Sequence, residues 1–98
     1  MTTLREREAV SDIKEVTTHR ILVVDDEASI SDLISTSLRF VGFDVRTAAN
    51  GAQALQVAEE FHPHAMVLDV MLPDLDGFEV CRQLRTEGHN VGVLFLTA

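Results

Sequence analysis

Two short apolar runs in this chain end abruptly in acid: Ile21-Leu22-Val23-Val24 is followed by Asp25-Asp26, and Ala65-Met66-Val67-Leu68 by Asp69. Runs of four aliphatic residues read as strands buried on both faces, as in a parallel sheet covered by helices. Ligands of such sheets bind beyond the carboxyl ends of the strands, where the strand order reverses. If the two runs are parallel neighbours, Asp25, Asp26 and Asp69 converge on one crevice. Carboxylates crowded together repel one another, so the arrangement favours a cation among them. An all-oxygen donor set with room for water suits Mg²⁺. The competing explanation is helix capping, since an acid near a helix N-terminus gains about 0.3–1 kcal/mol. Capping accounts for one of these acids, but hardly for two plus Asp69.

The rest of the pattern supplies the parallel sheet. From residue 20 onward the apolar period alternates between strand and helix, the mark of βα units. A strand over Arg20 to Val24 precedes a helix with Ile30, Leu33, Ile34, Leu38 and Val41 on one face, and Gly42 stands where a C-cap belongs. Phe43 to Ala48 alternates apolar with polar residues and reads as an edge strand. Asn50-Gly51 offers a turn and an N-cap for a second helix with Ala54, Leu55, Ala58 and Phe61 inward, which Pro63 stops. The third strand is Ala65 to Val70. The loop Met71-Leu72-Pro73-Asp74-Leu75-Asp76-Gly77 then leads to a third helix packed through Phe78, Cys81 and Leu84, with Val80 beside them. Asp74 and Asp76 read as turn formers there, with Gly77 supplying positive φ. The fourth strand, Val91 to Thr97, is apolar almost throughout. An uncovered edge of that kind invites pairing with another chain. The expectation is a domain cut short after its fourth strand, or one whose edge is completed by a second molecule.

Composition narrows the function. The 98 residues amount to one small domain or most of one, with enough hydrophobic content for a core. No stretch approaches a membrane span and no signal-peptide core is present, so a soluble cytoplasmic protein is expected. The single cysteine, Cys81, fits a reducing compartment and a structural place in a helix. Most of the net charge of −8 falls after residue 19. Such a surface repels phosphate backbones, so binding DNA requires another domain. Residues 1–19, with sparse apolar spacing at Leu4, Val10, Ile13 and Val16, read as a flexible extension, and 20–98 as the folded part. His62 and His64 flank Pro63 with no third ligand nearby in sequence and read as solvated loop histidines.

In order and spacing, ILVVDDE, AMVLD, VMLPDLDGFEV and the ending LFLTA resemble the receiver domain of two-component response regulators. The Met-Leu-Pro-Asp-x-Asp-Gly loop is most similar to the subfamily whose receivers precede a winged-helix DNA-binding domain. The resemblance spans residues 20–98 and implies a flavodoxin-like, doubly wound α/β fold with strand order 2-1-3-4. It implies that Asp69 accepts a phosphoryl group from a histidine kinase. It further implies that Asp25, Asp26, Asp69 and the backbone carbonyl of Met71 hold Mg²⁺, that Thr97 is the switch hydroxyl, and that the small Ala98 leaves room for phosphate. The family's fifth strand, with its phosphate-pairing lysine and an aromatic residue, has no counterpart up to Ala98. Two other functions compete: an assembly module that works without phosphorylation, through the fourth strand or as a homodimer, and a hydrolase with an aspartyl-phosphate intermediate. The hydrolase is the weaker, because such enzymes carry a second acid two residues after the nucleophile, where this chain has Met71.

Overall fold

A computed structural model describes residues 18–97. Most of the N-terminal extension and Ala98 lie outside the described residues, so neither the helical spacing of the first nor the pocket role of the second is tested. Seven elements alternate along the chain: β1 (Arg20–Val24), α1 (Ala28–Phe40), β2 (Asp44–Ala48), α2 (Gly51–Phe61), β3 (Ala65–Asp69), α3 (Gly77–Thr86) and β4 (Gly92–Leu96). All strand pairs are parallel, in the order β2-β1-β3-β4. The order reverses between β1 and β3, the two strands that carry the acids. β1 has the expected bounds, while β2, β3 and β4 are one or two residues shorter than expected, losing Phe43, Val70, Val91 and Thr97 from their ends.

The period of two along β1 divides the core between the faces of the sheet. Leu22 and Val24 join Met66, Leu68, Ala54, Ala58, Val80 and Leu84 under α2 and α3. Ile21 and Val23 face the other way, with Val45, and meet Ile34 and Leu38 of α1. Central β1 is thus enclosed on both sides, which is why it needs an unbroken aliphatic run. β2 and β4 take the edges, as their composition suggested for β2 and their position in the order requires for β4. Leu94 of β4 remains exposed.

Two helix faces differ from the expectation. In α1 the buried residues are Ser31 and Ser35, while Leu33 and Val41 are exposed and only Ile34 and Leu38 pack on the sheet. The serines fit there because their hydroxyls bond within the helix: Ser31 to the Ala28 carbonyl and Ser35 to that of Ser31. A small polar residue that returns its hydroxyl to the backbone can face the sheet without an unpaired group. In α3, Val80 and Leu84 are buried, Cys81 is half-buried, and Phe78 is exposed, its ring 4.7 Å from that of Phe95 on β4. Gly42 does end α1 with a positive φ, and Asn50 does cap α2 by accepting from the Gln53 N–H at 2.8 Å.

The loop after β3 corrects a further expectation. Asp74 and Asp76 are caps rather than turn formers. The Asp74 carboxylate reaches back to α2, accepting from the Gly51 and Ala52 N–H groups at 2.7 and 2.9 Å, and Asp76 caps α3 through the Glu79 N–H at 2.8 Å. Gly77 is not in the left-handed region, which among the glycines holds only Gly42 and Gly88. Its small size matters instead: a Cβ there would lie 2.6 Å from the Asp69 carbonyl oxygen. The Gly77 N–H donates to the Val70 carbonyl at 2.8 Å, so α3 begins against the backbone that carries Asp69.

Candidate functional site

The acids sit where the buried strands release the chain. β1 ends at Val24, and the Asp25 N–H continues the pairing by donating to the Ala48 carbonyl at 3.1 Å. Asp25 is itself buried, while Asp26 is exposed. Asp69 is the last residue of β3 and half-buried. The topology brings the three together: one carboxylate oxygen from each lies within 4.8 Å of the others.

Local hydrogen bonds fix two of these side chains. The Glu27 N–H donates to Asp25 Oδ1 at 2.9 Å, and the Met71 N–H donates to Asp69 Oδ1 at 2.9 Å. Both close a loop over two residues, the Asx geometry that short acids favour after a strand. Helix capping does not account for the pair at 25 and 26. The N-cap of α1 is Glu27, its side chain makes no capping bond, and the helix starts at Ala28 with no acid in its first turn. Asp25 and Asp26 are therefore placed by the strand end for something other than helix termination.

A cavity of about 270 Å³ opens over this crevice, lined by Asp25, Glu27, Ile30, Ile34, Asp69, Leu96 and Thr97. Thr97 follows β4 and is exposed at the mouth. The Val70 N–H donates to the Leu96 carbonyl at 3.1 Å, which ties the segment before Thr97 to the segment after Asp69. Of the residues expected to form a site, Asp25, Asp69 and Thr97 share this cavity and Asp26 closes the carboxylate cluster. Met71 is exposed and reaches the cluster through its main chain.

Sequence reasoning passed over Glu27, which supplies the N–H that orients Asp25 and a wall of the cavity. The third acid in Asp25-Asp26-Glu27 was the available signal. It also passed over Asp74 as a brace. The Gly51 and Ala52 N–H groups, with Leu75 behind them, hold its carboxyl below the usual range. Beside it on α3, the Arg82 guanidinium and the Gln83 amide bind Glu79 and push its pKa down to about 2.

The acids meet at the reversal point of a parallel α/β sheet of the flavodoxin-like kind, where the ligands of such sheets bind. The chain belongs to the response regulator receiver domain family, whose model matches residues 21–98. It is 49% identical over 79 residues to the response regulator MprA of Mycobacterium ulcerans, covering 81% of this chain and 34% of that protein. It is 46% identical over 84 residues to the probable transcriptional regulator ycf27 of Cyanophora paradoxa, covering 86% of this chain and 35% of that protein. The chain thus spans about a third of the length of these curated relatives. Among solved structures it resembles the response regulator TrrA of Thermotoga maritima in complex with Mg²⁺ and BeF, at 35% identity and a TM-score of 0.76. That match covers 82% of this chain and 70% of the other. The receiver domain of the Francisella response regulator 1452 gives a TM-score of 0.77 at 32% identity, covering 82% and 66%. Among the described residues no helix is long and apolar enough to cross a membrane.

Proposed function

We propose that Asp69 is the phosphoacceptor of a two-component signalling protein, charged by the phosphohistidine of a sensor kinase in the cytoplasm. Phosphorylation there governs transcription through an output domain in the full-length regulator. The observation that carries this is the meeting of three carboxylates at the mouth of one cavity, with Thr97 at its rim. The transcriptional regulators among the relatives favour this reading over an assembly module.

The donor set fits Mg²⁺. It is all oxygen, the atoms are close enough to share one small ion, and the mouth is open to the waters Mg²⁺ retains. Asp25, Asp26, Asp69 and the Met71 carbonyl would hold the ion. When bound, it neutralises charge between the acceptor and the phosphoryl oxygens. The protein's own contribution is positioning. Glu27 and Met71 N–H groups hold Asp25 and Asp69 in place before the donor arrives. A carboxylate oxygen of Asp69 attacks phosphorus in line as the P–N bond breaks, and the histidine nitrogen keeps the electron pair. The new group brings about two negative charges and three acceptor oxygens. The Thr97 hydroxyl donates to one of them, drawing the end of β4 inward, and Ala98 leaves space for the rest.

The test is incubation with acetyl phosphate and Mg²⁺, followed by intact-mass measurement. One phosphoryl group per chain is expected, with none after Asp69→Asn and none when the metal is chelated. A mass gain that survives Asp69→Asn refutes the assignment.

A further inference from the structure

At the other end of the sheet the fold assembles a second group of metal-type ligands, of different chemistry. Glu59 and His62 lie three residues apart where α2 ends. Glu87, the C-cap of α3, and His89 lie two apart in the turn that follows. One ligand atom each from Glu59, Glu87 and His89 falls within 4.8 Å of the others. His89 Nε2 already stands 3.1 Å from Glu59 Oε2. The His62 ring lies against that of His89, with centroids 5.8 Å apart, outside the 4.8 Å group but near enough to supply a fourth donor once its side chain turns. His62 drew no companion ligand in the sequence because His89 is 27 positions away; the α2–α3 packing supplies it.

Imidazole separates this cluster from an ordinary acidic patch. The His89 side chain is only 14% exposed. Its backbone is anchored at both polar atoms, the N–H donating to the Leu84 carbonyl at 2.9 Å and the carbonyl accepting from Arg85 Nη1 at 3.3 Å. Gly88, at φ +86°, makes the turn that sets Glu87 and His89 on the same side. The ring is thus held in place and already meets Glu59, while the exposed Glu87 side chain can adjust to it. Ligands on one tetrahedral ion at about 2.1 Å stand roughly 3.4 Å apart. Closing Glu59, Glu87 and His89 on an ion therefore requires only small side-chain movements, and His62 a larger one.

The geometry points to a Zn²⁺-class site formed by Glu59, Glu87 and His89 with His62, distinct from the acid crevice at Asp69. Mixed nitrogen and oxygen donors in tetrahedral number favour Zn²⁺ over Mg²⁺, which seeks oxygen. The two glutamates supply the opposing charge. Because the ligands come from the ends of α2 and α3, the ion ties those helices together, and binding stabilises the fold by mass action.

The experiment is a calorimetric Zn²⁺ titration of the chain in excess Mg²⁺, with the histidine ring signals followed by NMR. One Zn²⁺ per chain is expected, with the His62 and His89 rings shifting and affinity unchanged by Asp69→Asn. His89→Ala is expected to weaken binding more than tenfold. Glu87→Gln, at an exposed position that does not threaten folding, is expected to weaken it as well. No Zn²⁺ uptake in excess Mg²⁺, or uptake that His89→Ala and Glu87→Gln leave unchanged, overturns the site.

Discussion

The two ends of this sheet make an instructive pair. At the carboxyl end three acids come from strand termini, are oriented by main-chain N–H groups of their own loops, and share only oxygen donors. At the amino end the chemistry comes from helix termini and turns: His62 after α2, Glu87 and His89 after α3, and His64 before β3. A strand end is fixed by hydrogen bonds to its neighbours on both sides, so an acid placed there has little freedom. A helix end is fixed by packing, so its ligands meet only if the helices do. The first arrangement is rigid and suits chemistry that needs positioning. The second suits an ion that holds elements together.

The sharpest way to break this contrast is to disturb the rigid end at a position with no side chain of its own. In Gly77→Ala the new methyl meets the Asp69 carbonyl oxygen at 2.6 Å and the Val70 Cα at 3.0 Å, both backbone atoms that cannot swing aside. Overpacking of that kind costs about 2–3 kcal/mol. A lowered urea midpoint is expected, together with slower phosphoryl uptake from acetyl phosphate, because α3 must retreat from the strand end that presents Asp69. Stability and uptake both at wild-type level contradict the close approach.

A smaller effect is expected at the corresponding glycine of the other end. Gly88 has φ +86° with nothing within 4 Å of a Cβ built there. Gly88→Ala therefore meets backbone strain alone, worth about 1 kcal/mol. Its urea midpoint should fall less than that of Gly77→Ala, with phosphoryl uptake unchanged. A larger loss than Gly77→Ala reverses the ranking of the two ends.

This contrast also explains what could be read from the sequence. β1, β3 and the acids after them were legible because a doubly buried strand must be an unbroken apolar run, and a charge directly after one is conspicuous. The parallel sheet followed from the βα alternation, whereas the order β2-β1-β3-β4 came only with the family resemblance. Ser31 and Ser35 on the buried face of α1 were not legible, because hydropathy marks serine as outward and cannot anticipate a hydroxyl returned to the helix backbone. Phe78 misled for the opposite reason: its size suggested core, yet it stands at the surface against Phe95. Gly77 was recognised as significant but for its φ, since a clash with the Asp69 backbone exists only after the loop has folded back. The grouping of Glu59, Glu87 and His89 depends on two helix ends meeting, which no local pattern records.

The smallest predicted effect separates the ends by pH. Partial burial of the ring, then the charges of Arg20 and His19, hold His64 below the ordinary histidine value. Its Nδ1 accepts from the Arg20 N–H at 2.9 Å, a bond that only the unprotonated nitrogen can make. With the folded value below the unfolded one, the folded chain binds fewer protons. The stabilisation is therefore complete above about pH 6.5 and is lost as the pH falls through the folded value. The acids of the other end act in a lower window. Asp74 is depressed by the Gly51 and Ala52 N–H groups, and Glu79 lies at about 2 through Arg82 and Gln83. Their contributions persist until the solution is acidic enough to protonate the folded carboxylates. Urea midpoints from pH 7 to 5 should therefore decline in the wild-type chain and decline less in His64→Gln, whose amide oxygen can accept the same N–H without titrating. Below about pH 4 the two chains should fall together as the carboxylates protonate. Parallel curves from pH 7 to 5 assign that window to a group other than His64.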